Sequence, residues 1–353
     1  MHFEFYTAAL DDLPKLSVDG TVTNSVHFSH WNGNETPAQL KADTSTEIAL
    51  NLVAAPNRAE LTRGIELVTN NHFDTDGVLS VWTVLTGERA LELREKLIPA
   101  AEAGDFSEFK TEAGVRASIA IQGSDQPVPD EPSGSPLANQ LAGEQVDDDA
   151  RCYELVLPEV ERLLTRTGDY ESLWRGAWEK IATAMESFER GRSTVEEFAD
   201  SGLSLVTLAP DVFSSSGFNP TRHAAPYTAI SRYAKGQLFL ITTPLANGWA
   251  YRLDYPYYSW AETVVRPRIV RRDLSTLLAE LNTREAERAG PGSPHGQPGW
   301  GGGAWKLDYR ELASAIKFLG EDGTLAASLL APDEVAKIVG REMTNRQDAK
   351  AAR

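Results

Sequence analysis

The chain has 353 residues and a single cysteine, Cys152, so no disulfide can form within it. It is 41% hydrophobic and 24% charged with a net charge of −17, which predicts a globular protein and disfavours duplex DNA as a partner, because duplex binding rests on Lys and Arg neutralising phosphates. No apolar run is long enough for a membrane span, and the mixed, acidic N-terminus "MHFEFYTAALDDLPK" lacks the basic and apolar regions of a secretory signal; the expected location is the cytoplasm.

In chain order, "TVTNSVHFSH" alternates and reads as a strand, and "ETPAQLKADTSTEIALNLVA" reads as one or two helical turns and a helix. "GIELVTNN" reads as a second short strand, and "GVLSVWTVLTGERALELREKLIPAAEAG" has helical spacing with a break near Thr86–Gly87. Strand, polar turn and helix form the unit of a parallel α/β sheet. Residues 122–149, rich in Pro, Gly, Ser and acid, read as a flexible loop or linker. Helices follow in "DARCYELVLPEVERLLTRT", with a kink at Pro158, and in "DYESLWRGAWEKIATAMESFERG". "LSLVTLAP" reads as a strand, "GQLFLITTP" and "GWAYRLDYP" as a strand pair turning at "PLANG", and "RRDLSTLLAELNTREAER" as a helix. A Gly/Pro loop leads to helices expected in "DYRELASAIKFLG" and "PDEVAKIVGREM". The expected architecture is α/β: a Rossmann-like N-terminal domain with a mainly parallel sheet over 1–200, including a helical insertion, and a smaller C-terminal α+β domain over 201–353.

The densest chemistry lies in "VTNNHFDTDGVLS". Ligands of open α/β sheets bind beyond the carboxyl ends of strands, and alternate residues of an extended segment point the same way. His72 and Asp74 can therefore converge, with Asp76 near a helix N-terminus and Gly77 allowing the tight turn. Two carboxylates and an imidazole suit Mn²⁺, Mg²⁺, Fe²⁺ or Zn²⁺. The bland alternative is a helix entry capped by Asp74 or Asp76.

"NHFDTDGVLS" resembles the first motif of the DHH phosphoesterase superfamily, H-x-D-x-D-G-x-x-S, matched by His72, Asp74, Asp76, Gly77 and Ser80. The resemblance implies a metal pair, usually manganese with Mg²⁺ as an alternative, hydrolysis of phosphoester or phosphoanhydride bonds with Asp74 and Asp76 catalytic, and a small phosphorylated substrate or short oligonucleotide. A downstream "GWGGGAW" is similar to the superfamily's glycine-rich substrate loop; Gly301, Gly302 and Gly303 match its glycines, while Ala304 stands at the histidine position. No "DHH" tripeptide occurs. Candidates for the remaining ligands are Asp105, Asp211 and His223, each with a cap or surface role as its alternative.

Elsewhere, "VHFSHWNGNETP" puts His27 and His30 on opposite faces of a strand, so only one can face a site; His30, with Asp43, could complete a shell, or Asp43 could be a helix N-cap. In "YPYYSWAETVVRPRIVRRD" an arginine, Arg266, is expected to hold a substrate phosphate, against the alternative of an amphipathic surface. "FDTDGVL" is also similar to the first motif of haloacid dehalogenase-like phosphatases, which implies Asp74 as nucleophile, Asp76 as acid/base and Thr242 as a second-motif residue. A non-catalytic binding protein that keeps the fold is the third reading.

Overall fold

The computed structural model of the chain describes residues 1–124, 134–210, 226–290, 303–308 and 313–351, the last seven without side chains. Four residues singled out from the sequence, Asp211, His223, Gly301 and Gly302, lie outside the described residues. Among the described residues, no helix is long and apolar enough to cross a membrane. The fold is mixed α/β and divides into two compact units: Met1–Lys180 with Trp260–Arg268, and Ile181–Ser259 with Ile269–Arg353.

The first unit holds a parallel sheet of four short strands: β1 (His2–Phe3), β2 (Lys15–Val18), β3 (Val26–Phe28) and β4 (Leu67–Thr69), in the order β1-β4-β2-β3. β2 and β4 are buried throughout, as expected of parallel strands covered on both faces. Lys15 of β2 is buried because its ammonium donates to the carbonyls of Leu10 at 2.8 Å and Asn24 at 3.1 Å, among others.

The helix Thr75–Thr86 follows β4 after a polar turn. Its Val78, Leu79 and Val81 are fully buried, each contributing roughly 1.5–3 kcal/mol relative to exposure. It stops at Gly87, whose φ of +68° lies in the left-handed region, close to the break read from the sequence. The helices Ser45–Ala54, Arg94–Phe106 and Glu112–Gln122 complete the layer, the first capped by Thr44 and the last by Thr111 through their hydroxyls. Within the segment expected to be irregular, Pro136–Ala142 is helical: Ser135 caps it, Pro136 opens it and Gly143 follows in the left-handed conformation. A 3₁₀ turn at Leu157–Glu159 interrupts the next helical stretch, where the kink was expected.

The second unit holds a six-stranded sheet of β5 (Thr194–Phe198), β6 (Leu203–Thr207), β7 (Leu238–Leu245), β8 (Gly248–Asp254), β9 (Ala304–Leu307) and β10 (Ser314–Leu319), in the order β5-β6-β7-β8-β10-β9. Only β6 and β7 pair in parallel. Leu205, Leu240, Tyr251, Leu253, Trp305 and Phe318 anchor its core, with Leu277 and Leu281 from the helix Ser275–Ala289. β7 and β8 form the expected hairpin. β10 corrects an expectation: "SAIKFL" is a strand, not a helix. All six residues are buried between two neighbouring strands, and a short apolar run of that kind has no period that separates strand from buried helix.

Candidate metal centre

β4, β2 and β3 lie side by side and run in parallel, so their carboxyl ends deliver side chains to one edge. Asp19 follows β2, His30 lies just beyond β3, and His72, Asp74 and Asp76 follow β4. Asp105 arrives from elsewhere, on the last turn of the helix Arg94–Phe106.

Two groups that could hold a metal ion result. Asp19, His30, Asp76 and Asp105 form one, all buried; Asp19, His72 and Asp74 form the other, with His72 and Asp74 partly exposed. Within each set, one donor atom per residue lies within 4.8 Å of the others. Asp19 belongs to both. Its Oδ1 lies 3.4 Å from His30 Nε2, and its Oδ2 lies 2.9 Å from His72 Nε2.

The polypeptide holds Asp19 in an unusual state. Its φ is +63°, the left-handed region that few residues other than glycine adopt. Its N–H donates to the Phe28 carbonyl at 3.2 Å, the Ser29 hydroxyl donates to its carbonyl, and the Ser45 hydroxyl donates to its Oδ1 at 2.9 Å. Gly20 leaves no room for a Cβ, which would stand 2.1 Å from Asn71 Oδ1 and 2.6 Å from Asn70 Oδ1. A strained residue held by so many contacts is a pattern found at functional sites.

His30 is oriented from behind. Its Nδ1–H donates to the Asp43 carbonyl at 2.7 Å, which turns Nε2 towards Asp105 at 3.0 Å and Asp76 at 3.7 Å. His30 Nε2, Asp19 Oδ2 and Asp105 Oδ2 are buried yet make no well-aligned hydrogen bond. Converging orphan donors of nitrogen and carboxylate oxygen fit a divalent cation, since burying such atoms unsatisfied is costly.

The remaining acids do two jobs each. Asp74 caps the helix Thr75–Thr86, its Oδ1 accepting from Gly77 N–H at 2.7 Å, while Oδ2 faces His72 Nε2 at 3.2 Å. Cap and candidate ligand are therefore both present in one carboxylate. Asp76 is buried, and its two oxygens accept from the N–H groups of Ser45 and Thr46, at 2.7 Å each, at the start of the helix Ser45–Ala54. Gly77 is demanded by close approach and not by its φ: a Cβ would meet Asn70 Nδ2 at 2.4 Å and Tyr153 Oη at 2.7 Å.

Charge is balanced by protons in the bare centre. Burial alone would raise Asp19, but the imidazoles of His30 and His72 beside it outweigh that and hold its carboxyl far below the usual range. Burial alone would lower His72; the charge of Asp74 and the contact with Asp19 push it up to about 11. His30 is likewise raised, by Asp105 and Asp19 against its burial. Asp76 is pushed up to about 7 by burial and by the charge of Asp19. The imidazoliums thus supply the positive charge that the carboxylates require, in the place a metal would supply it.

Other expected residues lie elsewhere. His27 turns away and meets the Val22 carbonyl at 3.2 Å. The Asp43 carboxylate neither enters the centre nor caps the next helix, where Thr44 is the cap; it accepts the N–H groups of Val264, Val265 and Arg266 instead. The Arg266 guanidinium, expected to clamp phosphate, is engaged with Asp43 at 2.8 Å, Glu102 at 2.8 Å and Glu108 at 2.6 Å. Gly303 is a packing glycine of the second unit, where a Cβ would stand 2.4 Å from Phe318 Cε1. Thr242 sits on β7 of the second unit and donates to the Ala250 carbonyl at 2.9 Å.

Asp19 was missed in the sequence. Its signal was "KLSVDG", a short strand ending in Asp-Gly, masked because Lys15 and Ser17 break the apolar run. A cavity of about 240 Å³ adjoins the turn, lined by Phe73, Gln122, Ser135, Asp147 and Asp149 among others.

The family of unknown function DUF6687 matches residues 1–336. No curated protein matches the chain. Among solved structures the chain is similar to a pGpG-specific phosphodiesterase, PggH, from Vibrio cholerae, at 9% identity and a TM-score of 0.33, over 94% of this chain and 99% of that one. At that TM-score the likeness is too slight to bear on fold or chemistry.

Proposed function

The chain belongs to the family of unknown function DUF6687, and from the centre it carries we propose that it is a metal-dependent hydrolase of phosphoester or phosphoanhydride bonds. The observation that carries this reading is the sharing of Asp19: one carboxylate offers an oxygen to each of two ligand sets. A carboxylate shared in this way would serve a pair of cations, and paired cations are a recurrent device for in-line displacement at phosphorus.

His30, Asp19, Asp76 and Asp105 would hold the buried ion, and Asp19, His72 and Asp74 the more open one. Four carboxylates with two imidazoles favour Mn²⁺ over Mg²⁺, which prefers oxygen alone. Bound there, the pair would supply Lewis acidity towards a phosphoryl oxygen and a lowered pKa for the attacking water. The chain's own residues do the rest. Asp19 fixes the spacing, Asp43 holds His30 in the ligating tautomer, and the Ser45 and Thr46 amides orient Asp76. The partly exposed side of His72 and Asp74 is the face open to the phosphoryl group of a small phosphorylated molecule or short oligonucleotide.

The haloacid dehalogenase-like alternative asks Asp74 to attack phosphorus through a free oxygen. Here Oδ1 is a helix cap and Oδ2 faces His72, which supports a ligand role over a nucleophilic one. The test is hydrolysis of an activated phosphodiester, of pyrophosphate and of linear dinucleotides, with Mn²⁺ and with EDTA. Mn²⁺-dependent turnover that Asp19→Asn abolishes is expected. Two bound ions with no turnover on any of these would favour the binding-protein reading, and a beryllofluoride adduct on Asp74, the analogue of a phosphoaspartate, would favour the alternative enzyme.

A further inference from the structure

The segment Trp260–Arg268 counts with the first compact unit, although the chain on both sides of it belongs to the second. Its contacts converge on His30. The Glu262 N–H donates to the His30 carbonyl at 2.7 Å, and the Trp260 ring stands edge-on to the imidazole with centroids 5.0 Å apart. Asn32 Nδ2 donates to the Trp260 carbonyl at 2.6 Å, and the Glu262 carboxylate gathers Asn34 and Lys41, so the loop that follows His30 is held as well.

The next layer is Asp43. The carbonyl of Asp43 fixes His30 Nδ1, and its carboxylate is fixed in turn by three consecutive amides of the segment and by Arg266 Nη1. The same guanidinium reaches Glu102 and Glu108, which bracket Asp105 along the chain, and lies over the Phe106 ring at 4.9 Å. A planar fork can span three carboxylates at once, whereas an ammonium is a point charge. The fork therefore sets the separation between the strand-end loop that carries His30 and the helix end that carries Asp105.

We infer that Trp260–Arg268 is a clamp on the metal centre, with Arg266 as a positioning residue for the His30–Asp105 pair. The inference rests on the metal-centre reading above. Groups hydrogen-bonded to a metal's ligands, as the Asp43 carbonyl is to His30, typically govern 10–100-fold in affinity, and Arg266 acts by holding Asp43. Simple electrostatics gives the opposite sign: removing a cation beside an acidic site would tighten cation binding.

The experiment is Mn²⁺ titration calorimetry on the full chain, with metal-free melting curves, for wild type, Arg266→Gln, Arg266→Lys and Trp260→Leu. Arg89→Gln, which removes an exposed ion pair with Glu161, is the control. Wild type is expected to bind two ions. Arg266→Gln should weaken one of them about 10–100-fold, Arg266→Lys should recover only part of the loss, and the control should bind as wild type. If Arg266→Gln gives no folded chain, Arg266→Lys and Trp260→Leu carry the same comparison. A lower melting temperature with unchanged Mn²⁺ affinity would make Arg266 merely structural and overturn the clamp, as would tighter binding. Absence of Mn²⁺ binding by wild type would instead overturn the metal-centre reading, and the clamp with it.

Discussion

His72 Nε2 lies 2.9 Å from Asp19 Oδ2, and that contact joins the open half of the centre to the buried half. The two residues come from turns after different strands, β4 and β2, which pair directly. Replacing Asp19 should therefore affect both ions, whereas replacing Asp74 should affect one. Isothermal titration with Mn²⁺ is expected to show two sites in wild type, weak binding at both in Asp19→Asn, and one retained buried site in Asp74→Asn. Equal loss in the two variants would contradict the division into two sets.

Asp74 also separates capping from ligation. Asn at this position can still cap Gly77, so without metal Asp74→Asn should lose only the ion pair with His72 and should remain more stable than Asp74→Ala. Asp74→Ala loses the cap and should cost about 0.5–2 kcal/mol without metal. Thermal scans with EDTA and with Mn²⁺ should show the wild-type stabilisation by Mn²⁺ reduced in both variants. A full Mn²⁺ response in Asp74→Ala would leave this residue with the cap alone.

The pH dependence has a definite sign. His72 titrates at about 11 in the bare fold, above the ordinary imidazole value, so its stabilising charge is fully present below about 6.5 and lost as pH rises through 11. Asp76 titrates at about 7, so its contribution is fully present below about 3.8 and lost as pH rises through 7. The metal-free protein should lose stability between about pH 4 and 7 through Asp76, before the His72 contribution, whose loss begins only above about 6.5, has fallen far. Metal must displace these protons, so Mn²⁺ affinity should rise with pH over that range, and calorimetry in buffers of different ionisation enthalpy should report proton release. Affinity independent of pH would exclude protonated ligands in the bare centre.

Gly77→Ala should be destabilising by about 1–3 kcal/mol, because its Cβ would press on Asn70 and on the buried Tyr153 hydroxyl. Tyr153→Phe removes one of the two obstacles, so the alanine should cost less in that background. Urea titrations of the double-mutant cycle give the coupling; simple additivity would place the cost elsewhere.

Gly303→Ala should destabilise through Phe318 in the second unit and leave Mn²⁺ affinity unchanged. A weakened metal site in that variant would give Gly303 a part beyond packing.

Some of this was legible in advance, for physical reasons that can be named. The turn after β4 stood out because Asn70, Asn71 and His72 in a row at the end of an apolar strand, with Asp74 and Asp76 close behind, need water or a ligand. The break at Gly87 and the β7–β8 hairpin carry their own local signals. β10 was misread because a fully buried strand has no alternation to show.

The amino-acid sequence by itself determined the α/β class and the strand-to-helix turn, and made His72, Asp74 and Asp76 candidates, since all of these follow from local spacing. What only the tertiary structure decided is which distant residues join them. Asp19 reaches the site because β2 pairs with β4, His30 because β3 pairs with β2, and Asp105 because a helix end packs there. The engagement of Arg266 with Asp43, Glu102 and Glu108 is of the same kind. Strand order and ion-pair choice are set by non-local packing, which no short window of sequence contains.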